Sequence, residues 1–204
     1  MKILIAVPTF ENITPDTFRS IYSMDRCGQE CIFDFVRGYD CATARNKIVK
    51  KMQTLKADCV LMVDNNVVLK PDTLKLLLED QKDVCLGYYP RRNADNIYDG
   101  DTSVFRPGEY NFTQRYSCAE MKLQGDYKIK VHGGGMGCAL IMAEVFERVR
   151  FPWFKWMEYQ DGGILSEDLY FCLQCERAGI DVYCDARAGC GHILRHTQWP
   201  VEKG

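Results

Sequence analysis

Ala57-Asp58-Cys59-Val60-Leu61-Met62-Val63-Asp64-Asn65-Asn66 sets the reading of this chain. Its apolar core, Cys59 to Val63, stops abruptly at a carboxylate and two amides. A run that short and unalternating is a strand buried on both faces, as in a parallel sheet covered by helices. Open α/β sheets bind ligands beyond the carboxyl ends of their strands, where Asp64-Asn65-Asn66 falls. An ordinary strand-to-helix turn also favours Asp and Asn, so the stretch fixes a sheet before it fixes a site.

The flanking sequence repeats the pattern. Residues 2–7 form another continuous apolar run, ended by Pro8. Thr14-Pro15-Asp16 supplies an N-cap with proline at the first helical position and opens a helix over about 15–24. Cys31 to Val36 reads as a strand. Between Asp40 and Lys56, the residues Ala42, Ile48, Val49, Met52 and Leu55 fall on one helical face. Pro71-Asp72-Thr73 opens a helix through about Asp80, and Val84 to Tyr88 is a further strand. This alternation predicts an α/β fold with a mixed, mainly parallel central sheet and helices on both faces.

Residues 89–116 lose the periodicity and carry Arg, Asn, Asp, Gly and Pro, the composition of a flexible functional loop. That loop divides a single domain, 1–204, into a first half, 1–88, and a second half, 117–204. Short strands are expected around 117–123 and 127–131, then a glycine-rich bend from His132 to Gly137. An apolar strand from Cys138 to Met142 and a short helix over 143–149 follow. Ser166 caps a last long helix with Glu167 and Asp168 in its first turn and Gly179 as its stop. Asp181 to Cys184 is a final strand.

Of the 204 residues 47% are apolar, enough for one sizeable core. A net charge of −2 gives no bulk attraction to nucleic acid or anionic lipid. The clusters Lys47, Lys50, Lys51 and Arg91, Arg92 read as solvated local patches. No run approaches the ~20 apolar residues of a membrane span. The start, Met1 to Pro8, reads as a strand rather than a signal peptide, so the expected location is cytoplasmic. In that reducing setting the eleven cysteines act as small hydrophobes. The Cys172/Cys175 spacing also suits a zinc site completed by Cys184 and Cys190, although both lie within a helical pattern.

Each polar motif has a plain structural reading. The Gly133–Gly137 run is not a dinucleotide fingerprint, which belongs at the first strand–helix turn. Here that turn is Pro8-Thr9-Phe10-Glu11. Glycines there let backbone approach something closely or turn tightly. Glu167 and Asp168 suit a helix N-terminus whether or not they do chemistry. His132, His192 and His196 are each, taken singly, ordinary structural histidines.

Their joint order is more specific. Ile5-Ala6-Val7-Pro8-Thr9, Ala42-Thr43-Ala44-Arg45-Asn46 and Val60-Leu61-Met62-Val63-Asp64-Asn65-Asn66 come first. The stretch from Gly135 to Pro152 with Trp153-Phe154, then Ser166-Glu167-Asp168-Leu169-Tyr170-Phe171-Cys172, Ala178-Gly179-Ile180 and Gly191-His192 complete it. Over nearly its whole length the chain resembles a nucleotide-sugar glycosyltransferase of the GT-A fold, close to the family 2 group.

That resemblance implies transfer of a hexose from a nucleotide diphosphate sugar, a UDP-sugar foremost, to an acceptor hydroxyl with inversion. Residues 1–88 would form the nucleotide-binding half and 117–204 the acceptor and catalytic half. Thr9, Glu11, Arg45, Asn46 and Asp64 would contact the nucleotide. Asp64, Asn66 and His192 would hold a divalent cation, Mn²⁺ favoured by the imidazole and Mg²⁺ possible. Asp168, with Glu167 second, would serve as general base. One departure is clear: the family's metal motif is commonly Asp-x-Asp, and Asn66 offers an uncharged amide at its last position, which weakens the site.

The acceptor, a glycan or other hydroxyl compound and less favourably a modified DNA base, would lie over Gly133–Gly137 and the aromatics Trp153, Phe154, Trp156 and Tyr159. Loop 89–116 would close as a lid carrying Arg91, Arg92 and Arg106 toward phosphate. The alternative is a catalytically weak, transferase-shaped protein that binds nucleotide or sugar. A nucleotidyltransferase would need a glycine-rich basic loop after the first strand, which Thr9-Phe10-Glu11-Asn12 does not supply. The sequence sets no oligomeric state.

Overall fold

The computed structural model describes residues 1–10, 12–92, 98–108 and 112–193. The first half alternates as expected: β1 (Lys2–Thr9), α1 (Pro15–Ser23), β2 (Glu30–Arg37), α2 (Cys41–Leu55), β3 (Cys59–Val63), β4 (Val67–Val68), α3 (Thr73–Glu79) and β5 (Val84–Tyr88). Local chemistry sets the helix ends. The Thr14 hydroxyl accepts from the Thr17 N–H with Pro15 following, and α2 ends where Lys56 turns left-handed at φ 51°.

Asp40 caps α2 by accepting from the Thr43 N–H at 3.1 Å. Hydrogen bonds from the Thr43 side chain and backbone hold the Asp40 carboxyl below its ordinary range. Its stabilisation is therefore present above the unfolded carboxylate pKa and is lost as pH falls through the lower folded value. Asp40→Ala is expected to lower stability by about 1 kcal/mol at neutral pH. In urea unfolding the gap from wild type should close in acid, and a gap that widens there would contradict the cap.

After β5 the chain departs from the sequence reading. Pro90–Arg92 is β6, Tyr98–Phe105 is β7 and Arg115–Ser117 is β8, so much of the expected loop is an antiparallel sheet. Residues 93–97 and 109–111 of that loop lie outside the described residues. The stretch expected as a strand at 117–123 is instead α4 (Cys118–Lys122). Ser117 and Glu120 form a reciprocal capping box there, and Arg106 Nη2 also donates to Glu120. Then come β9 (Lys128–Val131), β10 (Gly133–Gly134), β11 (Cys138–Met142), α5 (Val145–Arg148), β12 (Met157–Glu158), β13 (Ile164–Leu165), α6 (Glu167–Arg177), β14 (Val182–Gly189) and β15 (Gly191–His192).

The central sheet has seven strands in the order β2-β1-β3-β11-β5-β14-β9. β11 and β9 run against the other five, so the sheet is mixed and mainly parallel. Alternation along β1 sends Ile3, Ile5 and Val7 to the face covered by α1 and α3, and Leu4 and Ala6 to the face covered by α2 and α6. On the second face Phe154 stacks on Phe171 at 4.8 Å. Burying each such ring contributes about 1.5–3 kcal/mol.

The buried cysteines belong to these cores, and burial pushes the Cys59 and Cys172 thiols up to about 12. Among the described residues no group of three His, Cys, Asp or Glu converges to hold a metal, so Cys172, Cys175, Cys184 and Cys190 do not form a zinc centre. No described helix is long and apolar enough to cross a membrane.

Candidate active site

The carboxyl ends of the parallel strands β1 and β3 meet the amino-terminal turns of α2 and α6. Arg45, in the second turn of α2, is buried between two carboxylates. Its Nη2 reaches Asp64 Oδ1 at 3.0 Å and its Nε reaches Glu167 Oε1 at 3.3 Å. Arg45 Nη1 is buried with no hydrogen-bond partner among the described residues. Burial works against charge on Arg45, but Asp64 and then Glu167 outweigh it and hold the guanidinium firmly ionised. Burial pushes the Glu167 carboxyl up, opposed by Arg45 and reinforced by Asp168. Glu167 is 4% exposed, so it ties α6 to α2 and stands behind the site rather than in it.

Asp168, the next residue, is half-buried and lines an open cleft of about 240 Å³ with Tyr89, Ser103, Gly135, Ser166 and His192. The Ser166 hydroxyl and the Leu169 N–H both donate to its Oδ1. Ser166 is the N-cap of α6 by position, yet its side chain caps no helical N–H. Its hydroxyl orients the Asp168 carboxylate instead.

The other end of the cleft is built by β15, which pairs with β4. His192 Nδ1 lies 2.7 Å from the Pro90 carbonyl. A carbonyl only accepts, so Nδ1 carries the proton and Nε2 is left to accept from Asn66 Nδ2 at 3.1 Å. The imidazole stands edge-on to the Tyr89 ring, with centroids 5.2 Å apart.

The structure thus brings Asp168 and His192 to one cleft, with Asn66 bonded to His192 and Arg45 joining Asp64 to Glu167, but it sorts the remaining candidates differently. Thr9 is buried; its hydroxyl donates to the Asn12 carbonyl at 2.7 Å and accepts from Asn65 Nδ2 at 3.4 Å, which shapes the turn after β1. Glu11 lies outside the described residues, as does His196. Asn46 is engaged by backbone groups. Its amide bonds the Ala42 and Phe154 carbonyls and the Trp153 and Phe154 N–H groups, fastening that segment to α2. Trp153 and Phe154 are core residues, whereas Trp156 and Tyr159 are exposed.

The sequence reading missed Tyr89, Ser103, Phe105 and Arg115 in the cleft, and the Pro90 carbonyl behind His192. The signal for Tyr89 was indirect. A Cβ on Gly135 would sit 2.2 Å from the Tyr89 hydroxyl oxygen, and one on Gly137 would sit 2.7 Å from it. Those glycines are the vacancy left for that hydroxyl.

Asn66, His192 and Asp64 are the described residues that would hold a divalent cation, and they offer few charged donors. His192 Nε2 is the one nitrogen donor whose partner proton is fixed by a carbonyl, an arrangement that prepares an imidazole to ligate. Asn66 would have to present its Oδ1 in place of its Nδ2. One Asp64 oxygen is already engaged by Arg45. A neutral pair with one shared carboxylate would leave the remaining positions to the oxygens of a bound ligand.

No family model and no curated protein matches the sequence. Solved structures do match. A197 from STIV has 16% identity and a TM-score of 0.57 over 100% of both chains. GalNAc-T7, solved with UDP, GalNAc and Mn²⁺, has 12% identity and a TM-score of 0.64 over 98% of this chain and 45% of its own. A Drosophila β-1,4-galactosyltransferase 7 variant, solved with manganese, UDP-Gal and xylobiose, has 17% identity and a TM-score of 0.53 over 99% and 77%. The chain therefore spans less than half of the GalNAc-T7 chain it matches. With its seven-stranded mixed sheet and a cleft at the strand ends, the chain has the GT-A fold.

Proposed function

We propose that this protein moves a sugar, a hexose foremost, from a nucleotide diphosphate sugar to an acceptor hydroxyl with inversion. A UDP-sugar is the preferred donor because the fold's neighbours GalNAc-T7 and galactosyltransferase 7 were solved with UDP or UDP-Gal. The observation that carries the reading is the placement of Asp168. It lines a cleft with Tyr89, Arg91, Arg115 and His192, and its neighbour Glu167 is tied through Arg45 to Asp64 at the strand ends where α/β sheets hold ligands.

Asp168 then takes the acceptor proton as the acceptor oxygen bonds to the anomeric carbon. The bond to the nucleotide diphosphate breaks on the opposite face, and its electron pair leaves with the diphosphate. Ser166 fixes the carboxylate for that role. Arg45 places positive charge under the strand end and holds Asp64 in position. Asn66 and His192, with Asp64 beside them, would hold Mn²⁺ or Mg²⁺, which when bound neutralises the departing diphosphate. Residues 1–88 supply the nucleotide side. Residues 117–204 supply the base and, through exposed Trp156 and Tyr159, an apolar face for a glycan or other hydroxyl acceptor. A modified DNA base is a less favoured acceptor at a net charge of −2.

Thermal shift against a panel of nucleotide sugars with Mn²⁺, followed by detection of released UDP, tests the proposal. A stabilised protein that releases UDP supports it. Stabilisation without any release would support the alternative of a binding protein. Asn66→Asp is expected to tighten Mn²⁺ binding to the UDP-loaded protein by roughly tenfold, since each added carboxylate strengthens a hard-cation site. Unchanged affinity by Mn²⁺ paramagnetic resonance would remove Asn66 from the ligand set.

A further inference from the structure

Tyr89 lines the cleft beside Arg91 and Arg115, and the transfer chemistry above gives it no work. It follows β5 directly, and its ring is buried. Its hydroxyl accepts the Gly137 N–H at 3.1 Å. The point where a Gly137 Cβ would stand is 2.7 Å from that hydroxyl and 2.8 Å from Asp64 Oδ2, so phenol and carboxylate flank the same glycine. On its other side the ring meets His192.

A tyrosine phenol keeps its proton at neutral pH. Gly137 uses the acceptor side of the oxygen, and the O–H remains to donate. A buried donor needs an acceptor. The space beside Tyr89 is the cleft it shares with Asp168.

We propose that the Tyr89 hydroxyl donates a hydrogen bond to the transferred sugar itself, making Tyr89 the residue that tells a sugar nucleotide from the bare nucleotide. This rests on the transferase reading. Asp64 marks the nucleotide side and Asp168 the acceptor side, and the moving group must pass between them, where Tyr89 stands. Guanidinium groups and cations suit a diphosphate, whereas a neutral phenol matches the neutral hydroxyl and ring oxygens of a pyranose. The glycine run fits this role, because Gly135 and Gly137 are the residues that let the hydroxyl reach the cleft.

Calorimetric titration with Mn²⁺ present tests it, using UDP, UDP-glucose, UDP-galactose, UDP-GlcNAc and UDP-GalNAc as probes. For the UDP-hexose that wild type binds most tightly, Tyr89→Phe should weaken binding about tenfold while leaving UDP within about twofold, the scale of one lost hydrogen bond. Gly135→Ala displaces the hydroxyl without removing it and should give the same selective loss, so it decides the matter should Tyr89→Phe fail to fold. Equal changes for UDP and UDP-hexose, or no change for either, would overturn the assignment of Tyr89 alone. A wild-type protein that binds neither UDP nor any of the four sugars would overturn the transferase reading and this inference with it.

Discussion

Asp168→Asn is expected to slow sugar transfer by roughly 10²- to 10⁴-fold, the range a positioned general base supplies. UDP binding should stay within about twofold of wild type, because no nucleotide contact is assigned to Asp168. The substitution keeps the side chain's size and leaves an oxygen for the Ser166 hydroxyl and the Leu169 N–H, the two donors Asp168 now receives. The fold should therefore survive, and the loss should fall on the chemical step. The neighbouring acid provides the contrast. Glu167 is buried against Arg45, so Glu167→Gln should act mainly on stability. Single-turnover release of UDP from each variant separates them. Wild-type turnover by Asp168→Asn would remove it as the base.

Arg45→Met is expected to lower stability by about 3–5 kcal/mol, the range for breaking a buried ion pair at one partner. The methionine fills most of the space but leaves the Asp64 and Glu167 carboxylates without their cation. Burial already pushes the Glu167 carboxyl up against the opposing pull of Arg45, so removing Arg45 raises it further. A carboxyl whose folded pKa exceeds its unfolded value near 4.3 makes the folded state bind more protons than the unfolded state. Stability of the variant should then fall as pH rises through that window and recover in acid. The gap from wild type should narrow between pH 7 and pH 5 in urea unfolding. A gap that widens over that interval would mean that Arg45 does not neutralise Glu167.

Much of the fold was written in local patterns. The unbroken apolar runs of β1, β3 and β5 need burial on both faces, and Thr14, Asp40 and Ser166 mark helix starts at nearly the right residues. The strand β7 was hidden because Tyr98-Asp99-Gly100-Asp101 carries residues that strands ordinarily avoid. Its order comes from pairing with β6, β8 and β10, which is long-range. Helix α4 could have been found, since Ser117 and Glu120 stand at capping-box spacing, but its apolar residues also fit a short strand.

The site divides the same way. Asp64, Asp168 and His192 stood out as polar residues at element ends. The different fates of Glu167 and Asp168 could not be seen, because adjacent residues in a helical turn point about 100° apart and only packing decides which one meets Arg45. Asn46 looked available in sequence, yet its amide is fully engaged by backbone from the distant 153–154 segment. Tyr89 was visible only as the reason for Gly135 and Gly137.

The most direct measurement is a crystal structure of the protein with UDP and Mn²⁺ at saturating concentration. The account predicts nucleotide density beyond the carboxyl ends of β1 and β3. The anomalous Mn²⁺ peak should lie within coordinating reach of His192 Nε2, with the Asn66 amide turned toward it and the diphosphate between that peak and Asp168. A nucleotide bound elsewhere on the molecule, or a Mn²⁺ peak away from both Asn66 and His192, would contradict it.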